Sequence, residues 1–350
     1  MDMGEVKTLK DNENNGNIIS YENSFREFVG NENITKHLKE AMKHDKVSHA
    51  YIISGEDKSG KTLLAKEFAK ALMCLDDNER PCGVCKSCIQ VDTNNNPDII
   101  WVKHEKPNTI SVDDVRTQVV NDAQIRPYAG KYKIYIINEA EKLNQQAQNA
   151  LLKTIEEPPK YVIIILITNN AGLFLPTITS RCVMLEMKPV ADDVIKKYLM
   201  EKYNIPDYKA KICISFAQGT VGKAIELAKT DEFDVLKKEA LHLVKYIEDM
   251  EIGEIVDAIK RIEDYKASMS DFIDVLMMWY RDVLMFKVTN DANFVIFSDE
   301  IKYIKEQAEK HSYNGIERII VAMTKAKQRL VANVNFQLTL ELMILTIKEN

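Results

Sequence analysis

The residues Gly55-Glu56-Asp57-Lys58-Ser59-Gly60-Lys61-Thr62 complete the pattern G-x-x-x-x-G-K-[ST]. A loop of this kind between a strand and a helix wraps a phosphate chain with backbone N–H groups. Gly55, Ser59 and Gly60 shape the loop. Lys61 is expected to meet β/γ-phosphate oxygens and Thr62 to hold Mg²⁺, so the ligand class is ATP or ADP with Mg²⁺. Phosphate transfer also needs an acidic strand end. The run Lys133 to Ile137 ends instead in Asn138-Glu139. Glu139 could polarise a water. Asn138 has the shape of Asp without its charge and attracts a metal-bound water less. Nucleotide binding with weak or absent hydrolysis is the expectation. Thr168 and Asn169, at the end of another apolar run, either sense a terminal phosphate or form a plain turn.

A second chemistry lies close by. Cys74, Cys82, Cys85 and Cys88 follow C-x7-C-x2-C-x2-C. Short loops bring four thiolates toward a tetrahedron, and four cysteines leave no water position, so a structural Zn²⁺ is expected. Cys182 and Cys213 stand alone and read as small buried side chains. Arg181, in Leu175-Pro176-Thr177-Ile178-Thr179-Ser180-Arg181-Cys182, reads on local grounds as a surface ion-pairing residue.

These residues need a scaffold. Short apolar runs at Ala50–Ile53, Asp98–Val102, Ile134–Ile137 and Val162–Ile167 suit strands buried on both faces of a parallel sheet, with amphipathic helices between them. The expected class is α/β. After Pro189 the strand signal fades and helical periodicity takes over. The expected organisation is a polar tail at 1–17, a nucleotide-binding domain at 18–189 with the zinc module at 74–88, a helical lid at 190–230 and a helical bundle at 231–350.

Composition narrows the function. The chain has 350 residues and a formal charge of −6, from 47 basic and 53 acidic side chains. That argues against a protein that coats nucleic acid through bulk charge. The longest apolar run, Tyr161 to Ile167, is far short of the ~20 residues of a membrane span. The acidic N-terminus lacks a signal-type segment, so a soluble, cytoplasmic protein with no membrane partner is expected.

Together the motifs resemble the AAA+ clamp-loader family of bacterial DNA replication. The resemblance covers nearly the whole chain after the tail. Phe25-Arg26-Glu27-Phe28-Val29-Gly30-Asn31 looks like the family's N-terminal box, and Ser48-His49-Ala50-Tyr51 leads into the phosphate loop in the same way. Asn149 to Pro159, reading NALLKTIEEPP, and the cysteine insertion after the first loop helix are similar too. Ser180-Arg181-Cys182 matches the arginine-finger motif, Lys223 lies where the sensor-2 Arg would be, and Asn333 to Glu341 resembles the collar helices. Asn138 and the absence of a following His, with Ile110 to Arg116 and Ile125-Arg126-Pro127, look most like the non-motor delta-prime branch. That branch often has an eroded phosphate loop, whereas this one is intact.

The resemblance implies an AAA+ P-loop domain with a zinc insertion, a lid and a collar. It implies a hetero-pentamer with gamma/tau and delta subunits that loads a sliding clamp on primed DNA. In it, Arg181 would reach in trans into a motor subunit's ATP site, and Lys223 would contact nucleotide. Three other readings compete: an ATP-hydrolysing gamma/tau-type motor, a P-loop small-molecule kinase with a zinc-stapled lid, and a zinc module that binds DNA directly. The apolar stripes of the C-terminal helices, such as Leu276 to Tyr280 and Leu338 to Leu345, could fill a core or face partner subunits.

Overall fold

The protein is described by a computed structural model covering residues 19–332 and 334–350. The expected tail at 1–17 lies outside the described residues. Two compact units divide between Val190 and Ala191.

The first unit is a parallel sheet of β1 (Ala50–Ser54), β2 (Ile99–Trp101), β3 (Lys133–Ile137), β4 (Val162–Thr168) and β5 (Val183–Glu186), ordered β2-β3-β4-β1-β5. Helices α1 (Glu32–Lys43), α2 (Lys61–Met73), α3 (Lys86–Asp92), α4 (Val112–Val115), α5 (Gln145–Glu156) and α6 (Pro176–Thr179) accompany it. Side chains alternate between the two faces of a strand. Ile163, Ile165 and Ile167 join the cluster holding Leu64 and Phe68 of α2. Val162, Ile164 and Leu166 join the opposite cluster, holding Leu151 and Ile155 of α5. Both faces are covered, so β1, β3 and β4 read as continuous apolar runs and every residue in them is buried.

The edges depart from the expectation of strands buried on both faces. β2 is half-buried throughout, because only β3 flanks it. Asp98 falls outside the strand. Its buried carboxylate accepts N–H bonds from Tyr128, from Ala129 at 2.8 Å and from Gly130 at 3.0 Å, pinning the loop that feeds β3. β5 was not anticipated. It pairs with β1, Tyr51 opposite Val183 and Ser54 opposite Glu186, and of its four residues only Leu185 is buried. An edge strand this short carries too little apolar signal to stand out.

The second unit is helical. Its elements are α7 (Asp192–Tyr203), α8 (Asp207–Ala217), α9 (Val221–Lys229), α10 (Asp231–Tyr246), α11 (Ile252–Glu263), α12 (Met269–Thr289), α13 (Ile301–Lys310), α14 (Tyr313–Val331) and α15 (Phe336–Glu349). Phe216 packs edge-on against Phe233 at 5.3 Å, and Lys209 pairs with Asp234 at 2.8 Å. These contacts join α8 to α10 across Thr230, where the sequence separates lid from bundle. Deeper in, the Trp279 indole donates to Gln307 at 2.6 Å, and Gln307 donates to the Val244 carbonyl at 2.7 Å. One buried amide thus ties α10, α12 and α13.

Asp98→Ala leaves three backbone donors without their charged acceptor, at a cost of about 3 kcal/mol. The urea midpoint of the full chain should fall accordingly, and a loss below about 1 kcal/mol would show that the loop is held by other means.

Candidate functional site

The sheet order sets the position of the site. β1 lies between β4 and β5, so the C-terminal ends of β1, β3 and β4 come together at a switch point of the parallel sheet, where such folds bind ligands. The phosphate loop leaves β1 there and α2 starts at Lys61. Gly60 has φ +99°, which side chains rarely adopt. At Gly55 a Cβ would sit 2.9 Å from the Met187 Cβ. Ser59 Oγ faces the Met187 sulfur at 3.9 Å, and its N–H donates to the Glu56 carbonyl at 3.2 Å. Gly55 and Ser59 therefore back the loop, while Gly60, Lys61 and Thr62 face an open cavity of about 360 Å³.

Asn138 and Glu139 line the same cavity from β3, and Thr168 and Asn169 from β4. Lys61 is buried, and its ammonium donates to the carbonyls of Gly55 (2.9 Å) and Glu56 and to Asn169 Oδ1 (2.8 Å). Burial holds its pKa below the usual lysine value, against Asp57, Glu141 and Glu56, which favour the cation. Three donors meet three oxygens, so an incoming phosphate must displace at least one. Thr168 Oγ1 accepts the Asn170 N–H at 3.0 Å, which shapes the turn and leaves Asn169 to meet Lys61.

Glu139 is committed elsewhere. Its backbone is left-handed, with φ +50°. Its carboxylate pairs with Lys142 at 2.7 Å and lies 3.6 Å from His104 Nε2. The loop N–H groups, Lys61 and Thr62 fit a phosphate chain. The strand end supplies an amide at 138 and a preoccupied carboxylate at 139, a poor set for activating water. Sequence reasoning passed over Glu141, which also lines the cavity and whose Oε2 accepts the Asn169 N–H at 3.3 Å. The available signal was a second acid two positions beyond Glu139.

Arg181 does not line this cavity. Arg181 follows α6. Its side chain is 42% exposed, and its guanidinium pairs with Glu156 at 3.1 Å and donates to the Thr177 carbonyl (3.0 Å) and Ser180 Oγ (3.2 Å). Lys223 belongs to the second unit, where it pairs with Asp271 at 3.4 Å and Asp274 at 3.9 Å; Asp274 also takes Lys327 at 2.7 Å.

The Sγ atoms of Cys74, Cys82, Cys85 and Cys88 all lie within 4.8 Å of one another. Zn–S bonds of ~2.3 Å in a tetrahedron require S···S separations of roughly 3.8 Å, so the set fits a closed four-thiolate site. The N–H groups of Cys82, Cys85 and Cys88 point at the sulfurs of Cys74, Cys82 and Cys85, at 3.3, 3.3 and 3.4 Å. Burial pushes the Cys74 and Cys88 thiols up. At Cys85 burial is outweighed by backbone N–H groups, including those of Leu75 and Cys88, and the thiol is held at about 7. A bound cation would supply the charge that keeps the remaining thiols ionised. Cys213 is buried as expected, whereas Cys182 is only half-buried; desolvation raises both thiols to about 11.

A family model described as DNA polymerase III, delta subunit, matches residues 30–191, and one for the C-terminal part of that subunit matches residues 247–349. The DNA polymerase III subunit delta' of Bacillus subtilis is 29% identical over 320 residues, 90% of this chain and 95% of that one. The chain belongs to the clamp-loader subunits of DNA polymerase III. The tau subunit of the same organism is 30% identical over 329 residues, 87% of this chain but 58% of tau. A gamma subunit-related protein of Thermotoga maritima superposes with a TM-score of 0.43 at 19% identity, over 89% of this chain and 98% of that one. The P-loop lies in a parallel-sheet unit, and a helical unit follows it in the chain. Among the described residues no helix is long and apolar enough to cross a membrane.

The cysteine geometry predicts about one equivalent of zinc per purified chain by atomic emission. Cys85→Ser should lose the metal and lower the thermal midpoint by several degrees. Full stability without metal would refute a structural role.

Proposed function

We propose that this clamp-loader subunit is of the delta' type: a stator that holds nucleotide without turning it over efficiently and lends Arg181 to the ATP site of a neighbouring motor subunit. The observation that carries this reading is the placement of Arg181, exposed on the loop after α6, outside its own cavity and steadied by Glu156 and Thr177. Asn138 in the place of a metal-orienting carboxylate, and Glu139 drawn to Lys142, support a weak ATPase of its own. The resemblance supplies the setting: gamma/tau and delta partners in a cytoplasmic hetero-pentamer, a sliding clamp and primed DNA. In that setting the guanidinium stabilises charge on the transferring phosphate. Lys153 to Glu156 close α5 and carry the carboxylate that holds the Arg181 fork, so Glu156 is read as its positioning residue. Lys223 has the place of a nucleotide sensor by resemblance, and contact with nucleotide would require it to leave Asp271 and Asp274.

The motor reading draws on the intact phosphate loop and on similarity to tau that matches the similarity to delta'. The two readings separate in one experiment. In a loader reconstituted with clamp and primed DNA, Arg181→Ala in this chain alone should lower the ATPase rate about 10³-fold, within the range known for such fingers, while assembly stays intact. Arg181→Lys should not restore it, because the fork geometry is lost. An unchanged rate, or robust ATPase in the isolated chain that Lys61→Ala abolishes, would favour the motor instead.

A further inference from the structure

We propose that Glu141 makes the nucleotide cavity of this chain selective for a nucleoside diphosphate over a triphosphate. The inference rests on the reading that the cavity holds a nucleotide. The far end of the cavity is marked by Lys61 and by Asn169 at the tip of β4, joined at 2.8 Å. A terminal phosphate carried past the loop arrives at this pair. Glu141 reaches the same tip from the turn Ala140–Lys142, its Oε2 taking the Asn169 N–H at 3.3 Å. The carboxylate is therefore fixed beside the terminal-phosphate position.

The carboxylates that line the cavity outnumber its lysines, three to two. Asp57, Glu139 and Glu141 line the cavity against Lys58 and Lys61. Glu139 is taken up by Lys142 and approached by His104. Asn138 brings no charge to hold a divalent cation that would shield an added phosphate. A diphosphate places its charge at the loop N–H groups and Lys61. A triphosphate adds a further charge at the end where Glu141 stands. At ~6 Å and an effective dielectric between that of a protein surface and that of water, one such like-charge contact weakens binding on the order of tenfold. An Asp-Glu strand end followed by a neutral residue would carry no such penalty at this position, so the selectivity belongs to Glu141 itself.

The test is equilibrium binding of ADP and of the non-hydrolysable imido analogue of ATP to the full chain, with Mg²⁺, by calorimetry. The wild-type chain should favour ADP about tenfold. Glu141→Gln keeps the shape and removes the charge, so it should tighten the triphosphate by more than the diphosphate, until the two affinities nearly match. Zinc content and melting temperature establish that the variant is folded. Equal wild-type affinities would overturn the selectivity and leave nucleotide binding standing. A variant that loses triphosphate affinity only when Mg²⁺ is present would show that Glu141 holds the cation, which also overturns it. Failure of both nucleotides to bind would defeat the nucleotide reading and this inference together.

Discussion

The constraint on which the first unit depends is that its three central strands are apolar on both faces and must be covered on both. That forces helices above and below a parallel sheet. Parallel strands joined by helices bring their C-terminal ends to one edge. The phosphate loop after β1, the Asn138-Glu139 pair after β3 and the Thr168-Asn169 pair after β4 share a cavity for that reason. They come from widely separated stretches of sequence, and the local condition they share is to follow a buried strand.

Within that cavity the charges lie where they hinder turnover more than they hinder binding. The lysine that would meet phosphate is held by two carbonyls and an amide. The carboxylate that would polarise water is engaged by Lys142, and an amide stands where a metal-orienting acid is expected. Arg181 projects from the loop after α6 and pairs with Glu156. A loop that keeps its full phosphate-binding pattern thus stands beside a strand end that does not.

Much of this was legible in the sequence, for identifiable reasons. Two-sided burial makes β1, β3 and β4 conspicuous as Ile-rich runs, and the phosphate loop and cysteine spacing are fixed by the geometry of what they bind. β5 was not legible, because an edge strand with one buried residue resembles loop sequence. Glu141 was missed because an acid after a strand gains meaning only when the tip of another strand is seen to meet it. The aspartates that hold Lys223 lie some 50 positions further along the chain, in α12, and a salt bridge over that separation leaves no periodic trace. The boundary at 230 was drawn where one helix ends, whereas Phe216 and Phe233 pack across it.

Helix α2 starts at Lys61 and gives way to Cys74. Its 13 residues make a rod of about 20 Å with phosphate chemistry at one end and thiolate chemistry at the other. Lys66 and Lys70 bind the backbone and carboxylate of Asp92, so the cysteine module is also strapped along the side of the rod. Helices unravel most readily from free ends, and here the C-terminal end is not free. The cysteine cluster thus serves as a ferrule, and the firmness with which Lys61 and Thr62 are presented to a ligand is set partly by sulfur chemistry at the opposite tip.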